Sequence, residues 1–550
     1  MAVKQNNGYS NDDRGCSNDE KDVILSAVWW QGFLLSGFTT PHMKIRSILP
    51  GIILLILAVY SGITVYQDFG IAWDEPIQRE IGWVNYSYIF HNDPTLHHYA
   101  DKDHGVGFEM PLIFLEKALD ISDPREVFLM RHLVAHLFFL MGCFLFYILA
   151  LRMFKNQWLA VLAFLMLLLH PRLYGHSFIN TKDIPLLVTF IFSLLLSVIA
   201  FEKKSLYWSL LLGLSVGYAT SIRILGIVPG AAFAAFLILD IFLARGKKEE
   251  ATPRAVGLFT YIAGFCLALY VCWPTLWEHP ISAFLESFQT LAHFRWDNEV
   301  LFQGKIYNAT QLPISYLPVW IGISTPVLWL VTGILGSLLV AWQLLRSPLA
   351  YFTDLPKRTI LICWYCTFAP LAMIWILRSV VYDDWRHVYF IYPTFILLGL
   401  SFIQRLSKRF VMPMVVTLML VQTGISMYDI IKLHPFPHVY FNRIISHKPG
   451  YIKRNYEQDY WGTGYKQALE YLIENTKDTQ ITVAWGLSPL TYNKDMLQVQ
   501  DRDRIVFQNE SKAAYYITTF RAHPGEYPFK EVIYEINRQN SPVVRIYKLR

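Results

Sequence analysis

The stretch SILPGIILLILAVYSGITVYQDFGIAWDEPIQRE, residues 47–80, decides the fold class. Its first part, residues 47–66, is almost wholly apolar and is long enough to cross a hydrocarbon layer of about 30 Å as a helix. The adjacent acids Asp74 and Glu75 follow a few residues later, and Pro76, a residue favoured at the first position of a helix, comes directly after them. The stretch therefore predicts a membrane span that is followed at once by a pair of carboxylates.

The rest of the chain repeats the apolar pattern. Of its 550 residues 54% are hydrophobic and 16% are charged, whereas soluble domains carry about 25% charged residues. The net charge of +6 is small and gives no indication of a nucleic-acid partner. The C-x-x-C at Cys363 and Cys366 lies inside an apolar run, which favours packing on a helix over redox or metal chemistry. The pattern predicts an all-α polytopic membrane protein with about eleven spans, at residues 47–66, 127–151, 157–171, 184–201, 205–221, 225–243, 255–273, 318–345, 359–378, 388–404 and 410–431.

Basic residues in the short loops indicate the orientation of these spans. With eleven spans every Lys/Arg cluster falls on one side of the membrane, which places the N-terminus in the cytosol and the C-terminus outside. We therefore expect a cytosolic tail at residues 1–45, with an interfacial helix at 22–38, and a transmembrane domain at 46–433. The protein is predicted to be integral to a membrane, as in the inner (plasma) membrane of a bacterium, in contact with its lipids.

Long segments collect on the predicted outer side. The first outer loop, residues 67–126, contains two amphipathic pieces, at 73–90 and 108–121, that predict helices along the membrane surface. A second outer loop contains a similar piece at 281–296. After the last span, residues 434–550 become polar and alternate short β-rich runs with a helical run, which predicts a small soluble α/β domain.

Charged side chains gather at the outer ends of the predicted spans. Charges at membrane depth are costly and therefore usually functional. A less certain group of His and Asp residues lies within 91–111. The main candidates are Asp74 and Glu75 after the first span, His170, Arg172, His176, Asn180, Lys182 and Asp183 between the third and fourth, Arg223 after the fifth, and Asp383, Asp384, Arg386 and His387 before the tenth.

Each of these groups also has a plain structural interpretation. Adjacent acids can cap the next helix, arginines can reach out to lipid headgroups, and histidines can be ordinary hydrogen-bonded interfacial residues. The His and Asp residues of 91–104 can bind a metal or belong to a solvated loop. The joint placement of acids and bases from four loops on one side of the membrane favours a functional site.

The residue types indicate the chemistry of such a site. Arg binds two oxygens of a phosphate at once, and a neighbouring carboxylate can act as the general base for a hydroxyl or amine acceptor. Flat aromatic side chains suit sugar rings or an isoprenoid chain. A lipid-linked phosphosugar combines these parts, and the chain carries no nucleotide-binding pattern.

Several motifs together resemble those of the GT-C superfamily of integral-membrane glycosyltransferases, in the branch of protein O-mannosyltransferases and the lipid A aminoarabinose transferase. The similarity covers residues 45–435 and depends on the order of short motifs: the Asp74–Glu75 pair with its amphipathic helices, HPRLYGHSFINTKDIP at 170–185, YNATQLPISYLPVW at 307–320 and YDDWRHVYFIYP at 382–393.

This resemblance implies roles for individual residues. Asp74 corresponds to the catalytic carboxylate, Glu75 to its supporting acid and Asp183 to the acidic position of the second outer loop. The family leaves open whether a divalent metal ion is needed. The resemblance implies donor-phosphate contacts for Arg172, Lys182 and Arg386. From their place in the same clusters we also expect Arg223 and His387 to contact the phosphate, and His176, Asn180, Asp383 and Asp384 to have supporting roles.

The predicted function is transfer of a sugar from a polyprenyl-phosphate donor to a protein, lipid or glycan acceptor on the extracytoplasmic face. The main alternative is a transporter or flippase for a lipid-linked or anionic substrate, although such proteins usually place polar groups near the middle of the bilayer. A receptor or scaffold would leave the charged clusters unexplained.

Overall fold

The computed structural model describes residues 45–246, 252–406, 409 and 411–550. The predicted interfacial helix at 22–38 lies outside the described residues. Within them, nine helices are long and apolar enough to cross a membrane, and they confirm that the chain is a mostly helical integral membrane protein. These helices are Arg46–Asp68, Pro124–Phe154, Asp183–Lys203, Ile224–Ala244, Thr252–Cys272, Val327–Arg346, Leu355–Leu377, Arg386–Gln404 and Val411–Leu433.

Two further predicted spans have a different form. The third consists of two helices, Gln157–Leu168 and Pro171–Ile179, which meet at a bend of 61°. His170 accepts a hydrogen bond from Leu173 N and caps the second helix, and Pro171 stands at its first position. The fifth predicted span is the apolar helix Leu206–Ile222, at 17 residues a short one. Residues 170–185, which connect the third and fourth predicted spans, are therefore largely helical.

A single helix forms the centre of the bundle. In Asp183–Lys203, 94% of the 18-residue apolar segment is buried by the rest of the protein. In Arg46–Asp68 the corresponding share is 22%. A helix that is apolar all round is suited to such a central position. Its polar first residue, Asp183, consequently lies at the end of the most buried helix of the bundle.

Small residues allow two of the helices to pack closely. A Cβ atom added at Gly213 would lie 2.1 Å from the carbonyl oxygen of Tyr261, and one at Gly217 would lie 2.4 Å from that of Phe265. Leu206–Ile222 and Thr252–Cys272 therefore touch backbone to backbone, which fixes the end of the first of them, next to Arg223.

The segments between the apolar helices contain helices where the amphipathic pieces lie in the sequence, and their position along the membrane surface stays a prediction. The first loop contains Asp74–His91, Thr95–His98 and Glu109–Ala118, and the second contains Pro280–Ala292. A hairpin of β1 (Glu299–Phe302) and β2 (Lys305–Asn308), which the sequence pattern did not predict, follows. The remaining helices before residue 434 are Tyr316–Ser324 and Pro348–Thr353. Tyr316–Ser324 is a separate helix, so the predicted span at 318–345 is divided in two.

The C-terminal part, residues 434–550, contains the predicted strands and helix. The helices are Tyr451–Asn455, Tyr465–Asn475, Ser488–Lys494 and Val499–Arg502. The strands are β3 (Ile481–Ala484), β4 (Ile505–Gln508), β5 (Tyr515–Thr518), β6 (Glu531–Arg538) and β7 (Ser541–Lys548), in the sheet order β4-β3-β5-β7-β6. β3 pairs in parallel with β4 and β5, and β7 pairs antiparallel with β5 and β6.

Specific contacts fasten the C-terminal part to segments next to the membrane helices. The side-chain oxygen of Asn493 accepts a hydrogen bond of 2.9 Å from the backbone N of Ile71, and its amide nitrogen donates one of 2.9 Å to the carbonyl of the same residue. Arg502 donates two hydrogen bonds of 2.8 Å to Asp123. Leu49–Arg550 pack as one unit, and a domain boundary at 434 stays a prediction.

Candidate active site

A cavity of about 930 Å³ lies between the ends of the membrane helices and the C-terminal part. It is open to the exterior and has both apolar and charged walls. Six of the twelve site residues predicted from the sequence line it: Asp74, Lys182, Arg223, Asp383, Arg386 and His387. The chain therefore brings together charged residues that follow its first span, precede its fourth, follow its fifth and precede its tenth.

Arg386 is the centre of this cluster. Its guanidinium group is 2% exposed and faces three carboxylates: Nη1 lies 3.2 Å from Oδ2 of Asp74 and 3.4 Å from Oδ2 of Asp183, and Nη2 lies 3.2 Å from Oδ2 of Asp383. Trp461 covers one side of the guanidinium, with its ring centre 4.9 Å away. Three acids share one buried cation, so the positive charge of Arg386 is fully compensated.

Asp183 does not line the cavity but orients two residues that do. Asn180 accepts hydrogen bonds from the backbone N of Asp183 and of Lys182, which fixes the first turn of the central helix. The amide of Asn180 also donates to Asp183 Oδ2 at 3.0 Å, and Arg223 Nε lies 2.7 Å from Oδ1. Asp183 is thus a buried anchor for Arg223 and Arg386.

Lys182 and Arg223 have N–H donors that make no hydrogen bond within the described residues. Lys182 is 8% exposed, and among the described residues no acceptor lies within hydrogen-bonding distance of its ammonium group. Arg223 uses Nε for Asp183, and its two terminal nitrogens meet no acceptor in the part of the chain that the structure describes. Burial, and then the charge of Arg223, lower the pKa of Lys182 to about 7. The two side chains can receive an anion in the cavity.

A second buried network lies away from the cavity. Arg172 is fully buried, with Nη1 2.8 Å from Asp384 Oδ2 and Nε donating to the carbonyl of Tyr440 at 2.9 Å. The same Asp384 oxygen accepts from the hydroxyls of Tyr389 and Tyr460, and burial raises the pKa of Asp384. Arg172 follows the 61° bend and is enclosed by this network instead of lining the cavity.

Two other predicted site residues also lie outside the cavity. The Oε2 atom of Glu75 accepts a hydrogen bond from Ala72 N at 2.8 Å, and its Oε1 lies 3.1 Å from His132 Nε2. His176 is fully buried and its Nε2 meets the hydroxyl of Tyr460 at 2.9 Å. Glu75 is adjacent to Asp74 in sequence, but its carboxylate is buried against His132 instead of lining the cavity.

The structure adds aromatic and basic residues that the sequence did not single out. Trp296 stacks on Tyr382 with ring centres 3.9 Å apart and planes 12° apart. Trp73 and Arg521 line the cavity as well, with the guanidinium of Arg521 5.0 Å from the Trp73 ring. Trp73 and Tyr382 neighbour predicted acids and could have been found from that position, whereas Arg521 lies in the C-terminal part with no sequence signal to connect it.

The residues of the site do not suit a divalent metal ion. The carboxylates Asp74, Asp183 and Asp383 converge on the guanidinium of Arg386 instead of on a common point. Across the described residues no group of three or more His, Cys, Asp or Glu side chains is arranged to hold a metal. No step of the chemistry below is assigned to a metal.

The fold and the site together define an integral membrane protein with an ion-paired cavity beneath an extramembrane sheet. The family model "Dolichyl-phosphate-mannose-protein mannosyltransferase" matches residues 127–277, about a quarter of the chain. This match confirms the predicted resemblance to GT-C glycosyltransferases. The chain has no match among curated protein sequences.

Solved structures with a similar chain path include ArnT from Cupriavidus metallidurans bound to undecaprenyl phosphate. That similarity covers 90% of this chain and 97% of that chain, at 12% identity and a TM-score of 0.46. The oligosaccharyltransferase of Archaeoglobus fulgidus in its apo form is similar over 87% of this chain and 65% of that chain, at 11% identity and a TM-score of 0.43.

Proposed function

We propose that this protein is a glycosyltransferase that moves a sugar from a polyprenyl-phosphate donor to a hydroxyl or amine acceptor. The reaction takes place on the extracytoplasmic face of the membrane, as in a bacterial inner membrane, with the N-terminus in the cytosol. The observation that carries the proposal is that Asp74 lines the same cavity as Lys182 and Arg223, and that the ammonium group of Lys182 and the two terminal nitrogens of Arg223 have no partner among the described residues. A carboxylate base and an anion site are the two parts that such a transfer needs.

Lys182 and Arg223 receive the donor phosphate in this proposal. Charge-assisted hydrogen bonds from ammonium and guanidinium groups to phosphate are short and strong, and they gain strength in a site shielded from water. The same contacts stabilise the negative charge that grows on the leaving phosphate, which is where electrostatic stabilisation accelerates a reaction. Arg386 contributes less to anion binding, because three carboxylates already share its charge.

Asp74 acts as the general base. Its Oδ2 is held by Arg386, while Oδ1 has no partner among the described residues and can accept a proton. The side chain is 32% exposed, so an acceptor can reach it from the cavity. A carboxylate that is oriented and accessible meets the geometric requirements of general base catalysis.

The reaction balances without a further reactant. The acceptor oxygen or nitrogen attacks the anomeric carbon of the sugar, and the bond between that carbon and the phosphate oxygen breaks. The proton of the acceptor passes to Asp74. The electron pair of the broken bond leaves with the polyprenyl phosphate, held by Lys182 and Arg223.

The remaining cavity walls fit the other parts of the donor. Phe288, Leu291, Met373 and Leu377 form an apolar side that suits an isoprenoid chain, since burial of apolar surface is favourable by roughly 25 cal/mol per Å². The indole of Trp73, next to Asp74, offers a flat face for a sugar ring. The family description supports a lipid-phosphate sugar as donor.

A radiolabelled polyprenyl-phosphate sugar tests the proposal directly. Purified protein in detergent or proteoliposomes should release label from the lipid to water, or pass it to envelope glycans, lipids or proteins added as acceptors. Release should fall sharply in Asp74→Asn at unchanged donor binding. Movement of intact donor across the vesicle membrane without cleavage would overturn the proposal and indicate a transporter.

A further inference from the structure

Arg521 is a buried cation that the C-terminal part contributes to the cavity. It follows β5 in the chain, and its side chain is 10% exposed. Its Nη1 donates to the carbonyl oxygen of Tyr460, and its guanidinium lies 5.0 Å from the ring of Trp73 and 5.6 Å from that of Trp296. These contacts hold the guanidinium in one orientation.

The other terminal nitrogen of Arg521, Nη2, reaches a carboxylate of the site. Nη2 lies 3.0 Å from Oδ1 of Asp383. The other oxygen of the same carboxylate, Oδ2, lies 3.2 Å from Nη2 of Arg386 and accepts from Trp461 Nε1 at 3.2 Å. Asp383 is buried, with 2% of its surface exposed. Each of its two carboxylate oxygens pairs with a different arginine.

The ion pairs form a chain of alternating charge. Arg521 pairs with Asp383, Asp383 pairs with Arg386, and Arg386 pairs with Asp74. Three of these four side chains are 10% exposed or less, and electrostatic interactions are stronger in such surroundings than in water. A change of charge at Arg521 therefore alters the electrostatic interaction between Arg386 and Asp74.

The direction of that effect follows from how Arg386 is shared. As long as Arg521 compensates Asp383, Arg386 can direct its Nη1 to Asp74. Without Arg521, the whole charge of Asp383 falls on Arg386, which is drawn toward Asp383 and away from Asp74. Asp74 would then be less well oriented, and a misplacement of about 1 Å can cost on the order of 100-fold in rate.

We propose that Arg521 is a positioning residue through which the C-terminal part holds Asp74 in its reactive orientation, by way of Asp383 and Arg386. This inference rests on the proposed function. It makes docking of the C-terminal sheet a condition for transfer, and it gives that sheet a role beyond covering the cavity.

The first experiment compares Arg521→Gln with Arg502→Gln. Both variants remove an ion pair between the C-terminal part and the rest of the chain, but the partner of Arg502 is Asp123, outside the cavity. We expect kcat to fall about tenfold or more in Arg521→Gln with donor KM within about twofold of the wild type, as for an interaction that affects only the transition state. Arg502→Gln should keep both constants, and Arg521→Lys should recover part of kcat.

A double-mutant cycle separates positioning from a loss of fold. If Arg521 acts through Asp383, its replacement should have no further effect on kcat in an Asp383→Asn background, because contacting residues of one network are not additive.

The outcomes are distinguishable. Wild-type kcat in Arg521→Gln, or effects of Arg521→Gln and Asp383→Asn that multiply, would overturn the inference while leaving the proposed function intact. A raised donor KM at unchanged kcat would also overturn it, because Arg521 would then bind substrate itself. A wild-type protein that neither cleaves nor transfers the labelled donor would instead overturn the proposed function.

Discussion

The guanidinium of Arg386 holds Asp74, with Nη1 3.2 Å from Oδ2, although the two residues come from opposite ends of the transmembrane part of the chain. This pair joins the start of the first surface helix to the start of the tenth predicted span. It also determines how the proposed base presents its second oxygen to the cavity. The geometry of the site therefore depends on the correct packing of the whole bundle.

Replacement of Asp74 tests the base. Asp74→Asn should lower kcat for transfer by about 10²–10⁴, the usual contribution of a positioned general base, with donor KM near the wild-type value. Turnover of labelled donor at saturating acceptor measures this. Asp120→Asn is the matched control, because Asp120 is exposed in the same loop and Asn tolerates its positive φ of 50°. A kcat in Asp74→Asn equal to that of Asp120→Asn would remove Asp74 from the mechanism.

The buried ammonium of Lys182 should make donor binding depend on pH. Because burial and Arg223 lower its pKa to about 7, the group is charged below that pH and loses its charge as the pH rises through it. The kcat/KM for donor should therefore fall above about pH 7. In Lys182→Arg this fall should be absent, since guanidinium stays charged.

The charge of Lys182 can also be removed outright. Lys182→Ala should raise donor KM by about 10-fold or more, the equivalent of one charge-assisted hydrogen bond of 1.5–3 kcal/mol. Lys203→Ala, at the exposed end of the same helix, is the matched control and should keep the wild-type KM. Equal donor KM in the two variants would mean that the phosphate binds elsewhere.

Arg172 is expected to act on stability rather than on donor binding. Arg172→Met would leave Asp384 as a buried charge without its cation, and removal of one partner of a buried pair typically costs 3–5 kcal/mol. We expect a lower thermal unfolding midpoint in detergent, partly restored by adding Asp384→Asn. In the fraction that stays folded, donor KM should not change. A selective increase of donor KM would instead restore Arg172 as a phosphate contact.

Close packing of two helices should be sensitive to a single methyl group. Gly213→Ala would bring Cβ to 2.1 Å from the carbonyl of Tyr261, so the helices must separate at a cost of about 1–3 kcal/mol. Gly424→Ala is the control in another membrane helix, where no atom lies within 4 Å of the added Cβ. Thermal unfolding of both variants should show a lower midpoint only for Gly213→Ala.

Local patterns were enough to predict most elements of the fold. All eleven apolar runs correspond to helices or to a broken pair, and the strands of the C-terminal part lie where their β-rich runs predicted them. The errors occur where the chain bends: the runs at 157–171 and 318–345 break at a proline, next to His170 and at Pro326. The β1–β2 hairpin, in which two four-residue strands pair with each other, was missed.

The site was predictable only in part for the same reason. The sequence analysis gave site roles to twelve side chains, and six of them line the cavity. Arg172 and Arg386 are both buried arginines. Arg172 is paired with Asp384 away from the cavity, whereas Arg386 lines the cavity. That difference depends on contacts with segments far away in the chain, Asp384 and Tyr440 for Arg172 and Asp74 for Arg386.

The sequence by itself determined the membrane class, the position of the apolar runs and the collection of acids and bases at their ends, because apolar length and charge are properties of a local stretch. Only the tertiary structure decided which of these charges pair with one another and which keep free donors for a ligand. Ion pairing depends on helix rotation and on distances of 3–4 Å between residues far apart in sequence, such as Arg521 and Asp383, at 3.0 Å.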